Sequence, residues 1–305
     1  MNKYLPEGSL IATHENREYI ASTAGLERAM ACGKILEGMA VMCDGELNLT
    51  VDLCGIKGVI PKEEAVLSDG ECKDIAVITR VGKPVCFKVI GIDGGRVVLS
   101  RRAAQSECMK NHVMSLIPGD IIDAKITHME QFGAFVDIGC GIVSLLSIDC
   151  ISVSRISHPK DRFYVGMQIK TVIKSVDYDT GRVYVSHKEL LGTWEENAEK
   201  FRVGQTVAGT VRSVEDYGIF VELAPNLAGL AELRDDVKVG QGAAVYIKNI
   251  IPERMKIKLV IIDSGNGTPQ PGEPEYYIKD AEHIDRWVYS PAECRRRVET
   301  VFEEA

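Results

Sequence analysis

The feature that most constrains this chain is that it repeats itself. Gly119, Phe132, Gly133, Phe135 and Val136 return 85 residues later as Gly204, Tyr217, Gly218, Phe220 and Val221. Past one loop the offset becomes 74: Val165-Gly166 matches Val239-Gly240, and Arg182 matches Lys256. A constant offset, one shortening inside a loop and a second constant offset describe a duplicated unit rather than a single large domain. A diverged third copy comes first in the chain. Val51-Asp52-Leu53 matches Val136-Asp137-Ile138, Val81-Gly82 matches Val165-Gly166, and the Arg96 to Ser100 segment matches Arg182 to Ser186. The units cover residues 33–102, 118–190 and 202–263.

Within the middle unit, apolar residues alternate in short runs. The period predicts strands near 120–130, 132–138, 142–147, 168–176 and 182–187. Five short strands with the long connection between the third and fourth fit a small closed barrel of the OB-fold type, so the fold class is all-β, three tandem five-stranded OB-fold barrels. Short helices are expected to link them. Thr193-Trp194-Glu195-Glu196 is a capping box opening a helix to about Phe201, and 103–115 reads as another. The N-terminal arm, 1–32, holds a short helix around Leu26, Ala29 and Met30 that Gly33 stops. Residues 264–275 contain three Gly and three Pro, the composition of a flexible linker. In the tail, 276–305, Ser290-Pro291-Ala292-Glu293 has the pattern of a helix start. It predicts a final helix with Cys294, Val298, Val301 and Phe302 on one face, and a tail that docks on the third barrel.

Charge at first argues against a polyanion partner, since 36 Lys+Arg stand against 44 Asp+Glu for a net −8. Its distribution removes the objection: the three repeats carry only −1, and residues 264–305 carry −4. No apolar run is long enough to span a membrane, and the first residues lack an apolar signal core, so a cytoplasmic protein is expected. Nine dispersed Cys with no Cys-x-x-Cys pair read as reduced, mostly buried thiols and not as a metal site. No nucleophile elbow, phosphate loop, His-Glu-x-x-His or partnered carboxylate pair is present, so no enzyme, cofactor or small-molecule substrate is expected.

The second strand of each unit carries the chemistry. Alternation places Ala134, Val136 and Ile138 inward and leaves Phe135 outward beside Asp137; Ile219, Val221 and Leu223 go inward and leave Phe220 outward beside Glu222. An aromatic alternating with a carboxylate on what reads as a solvent face is not filling a core. Phe132 and Tyr217 begin the same strands, and the adjacent Gly133 and Gly218 permit a bulge or turn that brings both rings to one surface. Two exposed rings on a small barrel form a platform on which bases of single-stranded nucleic acid stack. The alternative use of such a ring is to cap the barrel end. The first unit has Leu47, Asn48, Thr50 and Asp52 in this strand, and so no ring.

The order Phe/Tyr-Gly-x-Phe-Val-Asp/Glu, then Val-Gly, then Asp-x-Gly-Arg with Ser four residues on, resembles the RNA-binding OB-fold repeat of the ribosomal protein S-one family. That resemblance implies an RNA surface of two second-strand aromatics, a third-strand His, and an Asp and a basic residue bracketing the last turn. Carried over, it assigns Phe132, Phe135, Asp177 and Arg182 in the middle unit, with Ser147 where the His is expected. In the third it assigns Tyr217, Phe220 and Lys256, with Glu232 at the His position and no Asp before the turn. The first unit keeps Asp93 and Arg96. His128 and Arg212, on the first strands, are further candidates. The implied partners are single-stranded RNA or mRNA and the small ribosomal subunit. A scaffold of barrels that bind protein rather than RNA is the rival reading. The His158 to Arg162 stretch in the long loop is either a further RNA contact or a self-capping turn.

Overall fold

Valine- and isoleucine-rich strands, each ended by glycine or a polar turn, close into three separate barrels in the computed structural model, which describes residues 4–67, 80–265 and 272–303. The first barrel comprises β1 (Leu36–Cys43), β2 (Leu49–Leu53), β3 (Ile56–Ile60), β4 (Pro84–Asp93) and β5 (Arg96–Ser100). The second comprises β6 (Ile121–Glu130), β7 (Gly133–Asp137), β8 (Val143–Ser147), β9 (Gln168–Asp177) and β10 (Arg182–Ser186). The third comprises β11 (Thr206–Glu215), β12 (Gly218–Ala224), β13 (Leu227–Ala231), β14 (Gly242–Ile251) and β15 (Lys256–Gly265). In each, the first strand pairs antiparallel with the second and fourth, and the parallel pairing of third and fifth closes the sheet, as Leu145↔Tyr184 and Leu230↔Lys258 show. The architecture is the all-β, three-barrel one that the repeat predicts. One register irregularity also repeats: the first strand bulges between Ala40 and Met42, Ile126 and His128, and Val211 and Ser213. It sets Met42, His128 and Ser213 opposite Thr50, Phe135 and Phe220.

Helices occupy the junctions. In the arm, α1 (His14–Ile20) is capped by Thr13, and α2 (Thr23–Cys32) is capped by Ser22 and ended by Gly33 in the left-handed conformation. The sequence signals found α2 and missed α1, whose seven residues are too few for a periodic pattern to register. Between the first two barrels, α3 (Arg101–Asn111) starts on the Ser100 hydroxyl, which accepts from the Ala103 amide. Between the second and third, α4 (Trp194–Ala198) carries the expected capping box and buries Trp194 in the third barrel's core.

The expected C-terminal helix is absent. The tail instead forms a two-stranded sheet of β16 (Arg286–Val288) and β17 (Glu299–Val301), with a turn at 291–294. An isolated helix of a dozen residues gains little from its own hydrogen bonds in water. The extended tail, by contrast, buries Trp287 and Tyr289 with the third barrel and Phe302 with Val172 and Leu190 of the second. Ser290, the expected helix cap, accepts from the Val298 amide across the sheet at 2.9 Å. Val301 remains exposed. The tail thus straddles two barrels: the Tyr276 hydroxyl accepts from the Lys170 amide at 2.9 Å, His283 pairs with Asp120 at 2.8 Å, and the Tyr289 hydroxyl donates to the Asn226 carbonyl at 2.6 Å. Half of the linker at 264–275, residues 266–271, lies outside the described residues. Of the eight described cysteines, Cys86, Cys108, Cys140 and Cys150 are buried, whereas Cys32 and Cys54 are exposed, so burial is less general than expected. No helix among the described residues is long and apolar enough to cross a membrane.

Both seams between barrels are ionic. At the first, Glu7 of the arm is 2% exposed and accepts from Arg101 Nε at 2.6 Å and Nη2 at 3.1 Å, from Arg80 and from the Cys86 amide. Burial alone would raise the Glu7 pKa, but the two guanidinium groups hold it below the usual carboxylate value. The Glu7 amide donates to Asp137 at 2.8 Å, and the Cys140 amide to the Leu5 carbonyl at 2.9 Å. At the second seam Glu222, 7% exposed, accepts from Arg212 at 2.9 and 3.2 Å and from Arg162, while Arg212 also approaches Asp161 at 3.4 Å. The His158 to Arg162 stretch is a self-capping turn: the Lys160 amide donates to His158 Nδ1 and Asp161 accepts from the His158 amide. Asp137 and Glu222, read from alternation as solvent-facing, are therefore buried, because the preceding barrel covers the end of the strand that carries them. Asp52, at the same place in the first barrel, is exposed and accepts from the Gly55 amide in its own turn.

Candidate nucleic-acid interface

Two ring pairs stand on the second strands of the second and third barrels. Ala134, Val136, Ile219 and Val221 fill the interiors, while Phe135 and Phe220 are half-buried on the outer face. Phe132 and Tyr217, just before each strand, are 56% and 70% exposed. The glycine between the two rings is required by a close approach. A Cβ on Gly133 would lie 2.5 Å from the Leu146 carbonyl oxygen, and one on Gly218, whose φ is +149°, would lie 2.6 Å from that of Ala231. With no side chain there, the strand presses onto its neighbour and the preceding ring swings to the outer side. Phe132 and Phe135 then meet edge to face, centroids 6.0 Å apart at 90°, and Tyr217 and Phe220 do the same at 6.1 Å and 87°. Near-identical geometry in two copies, at rings this exposed, is not what capping a barrel end requires.

The bulge in the first strand adds a third ring to the middle barrel only. His128 lies almost parallel to Phe135, centroids 6.0 Å apart and 25° inclined, and contacts Glu130. In the third barrel Ser213 takes that place. Arg182 is exposed where β10 begins, and its guanidinium makes no hydrogen bond or ion pair with the described residues. Asp177, directly opposite, is turned onto its own loop. It accepts from the Thr180 hydroxyl at 2.6 Å and from the amides of Asp179 and Thr180, and these bonds, the Thr180 hydroxyl first, hold its pKa low. Lys256 occupies the matching position in the third barrel, exposed and opposite Ile251. Ser147 pairs with Gly133, and Glu232 is exposed.

These residues sort into two grooves. One, of about 910 Å³, brings His128, Phe135, Arg182 and Tyr184 together with Lys83 and Arg80 of the first barrel. The other, of about 280 Å³, brings Tyr217, Phe220 and Arg212 together with residues 153–155 of the second barrel. Neither includes Phe132, Asp177 or Lys256 in its lining. Arg212 lies at the groove's floor with its charge committed to Glu222. Tyr184, 42% exposed, was missed by the sequence reasoning, although Val183 in and Tyr184 out is the alternation that exposes it. The places of Lys83 and Arg155 in these grooves carry no sequence signal, because each lines a groove on a barrel other than its own.

Residues 115–188, the second barrel, match the family model of the S1 RNA binding domain. Among curated relatives, the small ribosomal subunit protein bS1 of Staphylococcus aureus (strain COL) is 34% identical over 232 residues, covering 70% of this chain and 58% of that protein. The bS1 homolog of Bacillus subtilis (strain 168) is 28% identical over 263 residues, covering 84% and 66%, and bS1 of Rhizobium meliloti (strain 1021) is 28% identical over 235 residues, covering 75% and 40%. The chain thus spans a little over half the length of the Staphylococcus relative. A matched domain on the middle barrel, relatives aligned across most of the chain and three barrels of one topology together mean that the chain belongs to the ribosomal protein S1 family, with three copies of its repeat.

Proposed function

We propose that the second and third barrels bind single-stranded RNA, mRNA included, by stacking bases on Phe132 and Phe135 and on Tyr217 and Phe220, in translation at the small ribosomal subunit. The observation that carries this reading is the repeated edge-to-face pair of exposed rings, held by a glycine that tolerates no side chain. Stacking on aromatic rings is indifferent to base identity and contributes about 1–3 kcal/mol per base. Arg182, Lys256 and His128 add charge or ring area beside the platforms, while Asp177 shapes the turn that presents Arg182. With the repeats near neutrality, stacking must supply much of the grip, and affinity grows when both barrels engage one strand. The bS1 relatives motivate the ribosomal setting.

The first barrel supports a different use. Its first strand exposes Met39, Val41 and Met42, and opposite Met42 stands Thr50 where the other barrels carry Phe135 and Phe220. A flexible apolar patch of this kind fits protein better than RNA, and we assign it the role of adaptor.

Binding of a labelled single-stranded RNA across a salt series tests the reading. Phe135→Ala combined with Phe220→Ala is expected to weaken binding by about 30-fold or more, since two stacked bases are lost. Affinity should also fall with salt in the wild type. A double variant that binds like the wild type removes the platforms from the account.

A further inference from the structure

The loop after β8 leaves the second barrel and lies on the third. The Val153 amide donates to Asn226 Oδ1 at 2.9 Å and the Ser154 amide to the Pro225 carbonyl at 3.2 Å. Asn226, fully buried in the turn between β12 and β13, donates in turn to the carbonyls of Lys188 and Gly192, at 2.8 Å each. Residues 153 and 154 are therefore clamped to the hairpin that carries Phe220. The next residue, Arg155, is exposed, and it lines the groove shared with Tyr217 and Phe220.

The charges around that groove single Arg155 out. Arg212 is neutralised by Glu222 and Asp161. Glu215, also on the lining, repels a polyanion. Lys256, the third barrel's own turn cation, is not on the lining. Among the described residues lining this groove, Arg155 is the cation with no hydrogen-bond or ion-pair partner. A strand whose bases lie on the rings turns its phosphates to the groove wall, where a guanidinium offers two parallel donors to one phosphate.

We propose that Arg155 of the second barrel contacts the backbone phosphate of an RNA strand stacked on Tyr217 and Phe220 of the third, so that the third platform takes its cation from the barrel before it. This inference rests on the RNA-stacking reading above.

The test uses the full chain and a dye-labelled oligouridylate, with affinity measured by anisotropy across a salt series. Arg155→Gln is expected to weaken binding about three- to tenfold and to reduce the slope of log affinity against log salt by about 0.7, the loss of one phosphate contact to a single strand. Arg155→Lys should retain the slope. In a Tyr217→Ala, Phe220→Ala background, Arg155→Gln should change nothing further, because the strand is no longer held beside it. Unchanged affinity and slope in Arg155→Gln, with the ring variant weakened, overturns the proposal and leaves the stacking reading standing. An equal effect of Arg155→Gln in the ringless background places its contact elsewhere and also overturns it. A wild type that binds no RNA overturns both.

Discussion

The same three strand positions read Leu47, Thr50 and Asp52 in the first barrel, Phe132, Phe135 and Asp137 in the second, and Tyr217, Phe220 and Glu222 in the third. Where rings are present, the carboxylate two residues on is buried under the preceding barrel; where they are absent, it faces solvent in its own turn. One outer strand therefore serves two purposes along its length, a ring platform at one end and an ionic seam at the other. The seams differ in where the central acid comes from. At the second, Glu222 belongs to the strand itself; at the first, Asp137 is joined by Glu7 from an arm 130 residues away in sequence. Docking of the first barrel is thus conditional on the arm in a way that docking of the third is not.

Glu7→Ala breaks this contrast most strongly. It leaves Arg101, 1% exposed, without its counter-ion, and removal of one partner from a buried pair costs about 3–5 kcal/mol. A urea titration should show an early transition confined to the arm and first barrel; a single transition at the wild-type midpoint would mean that the arm contributes nothing to the seam. Glu222→Ala is expected to cost about 2–3 kcal/mol, because Arg162 and Arg212 lose their shared acceptor, while Arg212 keeps the Asp161 carboxylate and Arg162 the Asp161 carbonyl and Ser152 hydroxyl. The aligned Asp52→Ala, at an exposed turn, is the baseline, at under about 0.5 kcal/mol. Equal costs at the two sites would erase the distinction between seam and surface.

Smaller than the cost of either seam substitution is an effect of pH on the second seam. Burial pushes the His187 imidazole down to about 4, although its contact with the Ile151 carbonyl favours the charged form. Because this pKa lies below the unfolded value of 6.5, the folded state binds fewer protons between those limits, and stability is lost as pH falls through the window. By about pH 5.5 the loss is about 1 kcal/mol. The drop in unfolding midpoint from about pH 7.5 should be smaller in His187→Gln; an identical drop assigns the sensitivity to another group.

Most of the fold was legible because it is written several times over. Repeated Val-Gly, Phe-Gly and Asp-x-Gly-Arg spacings locate strands and turns to within a residue or two at β6 to β10. Periodicity failed where contacts across the chain decide. At 290–302 a sound helix-capping pattern yields to burial of Trp287, Tyr289 and Phe302 against two barrels. Alternation sorted Asp137 and Glu222 onto the outer face correctly, yet a strand pattern carries no information about what covers that face. Glu7 and Arg155 were invisible for the same reason: each acts on a neighbouring barrel, and nothing in their local sequence names the neighbour.

The clamp at Asn226 and the anchorage at Asp137 each join one kind of surface on a barrel to a different kind on the next. Such contacts are heterologous, unlike the self-complementary contact that a two-fold imposes. Each junction therefore has a direction, with an earlier part of the chain resting on the end of the strand that carries the next pair of rings.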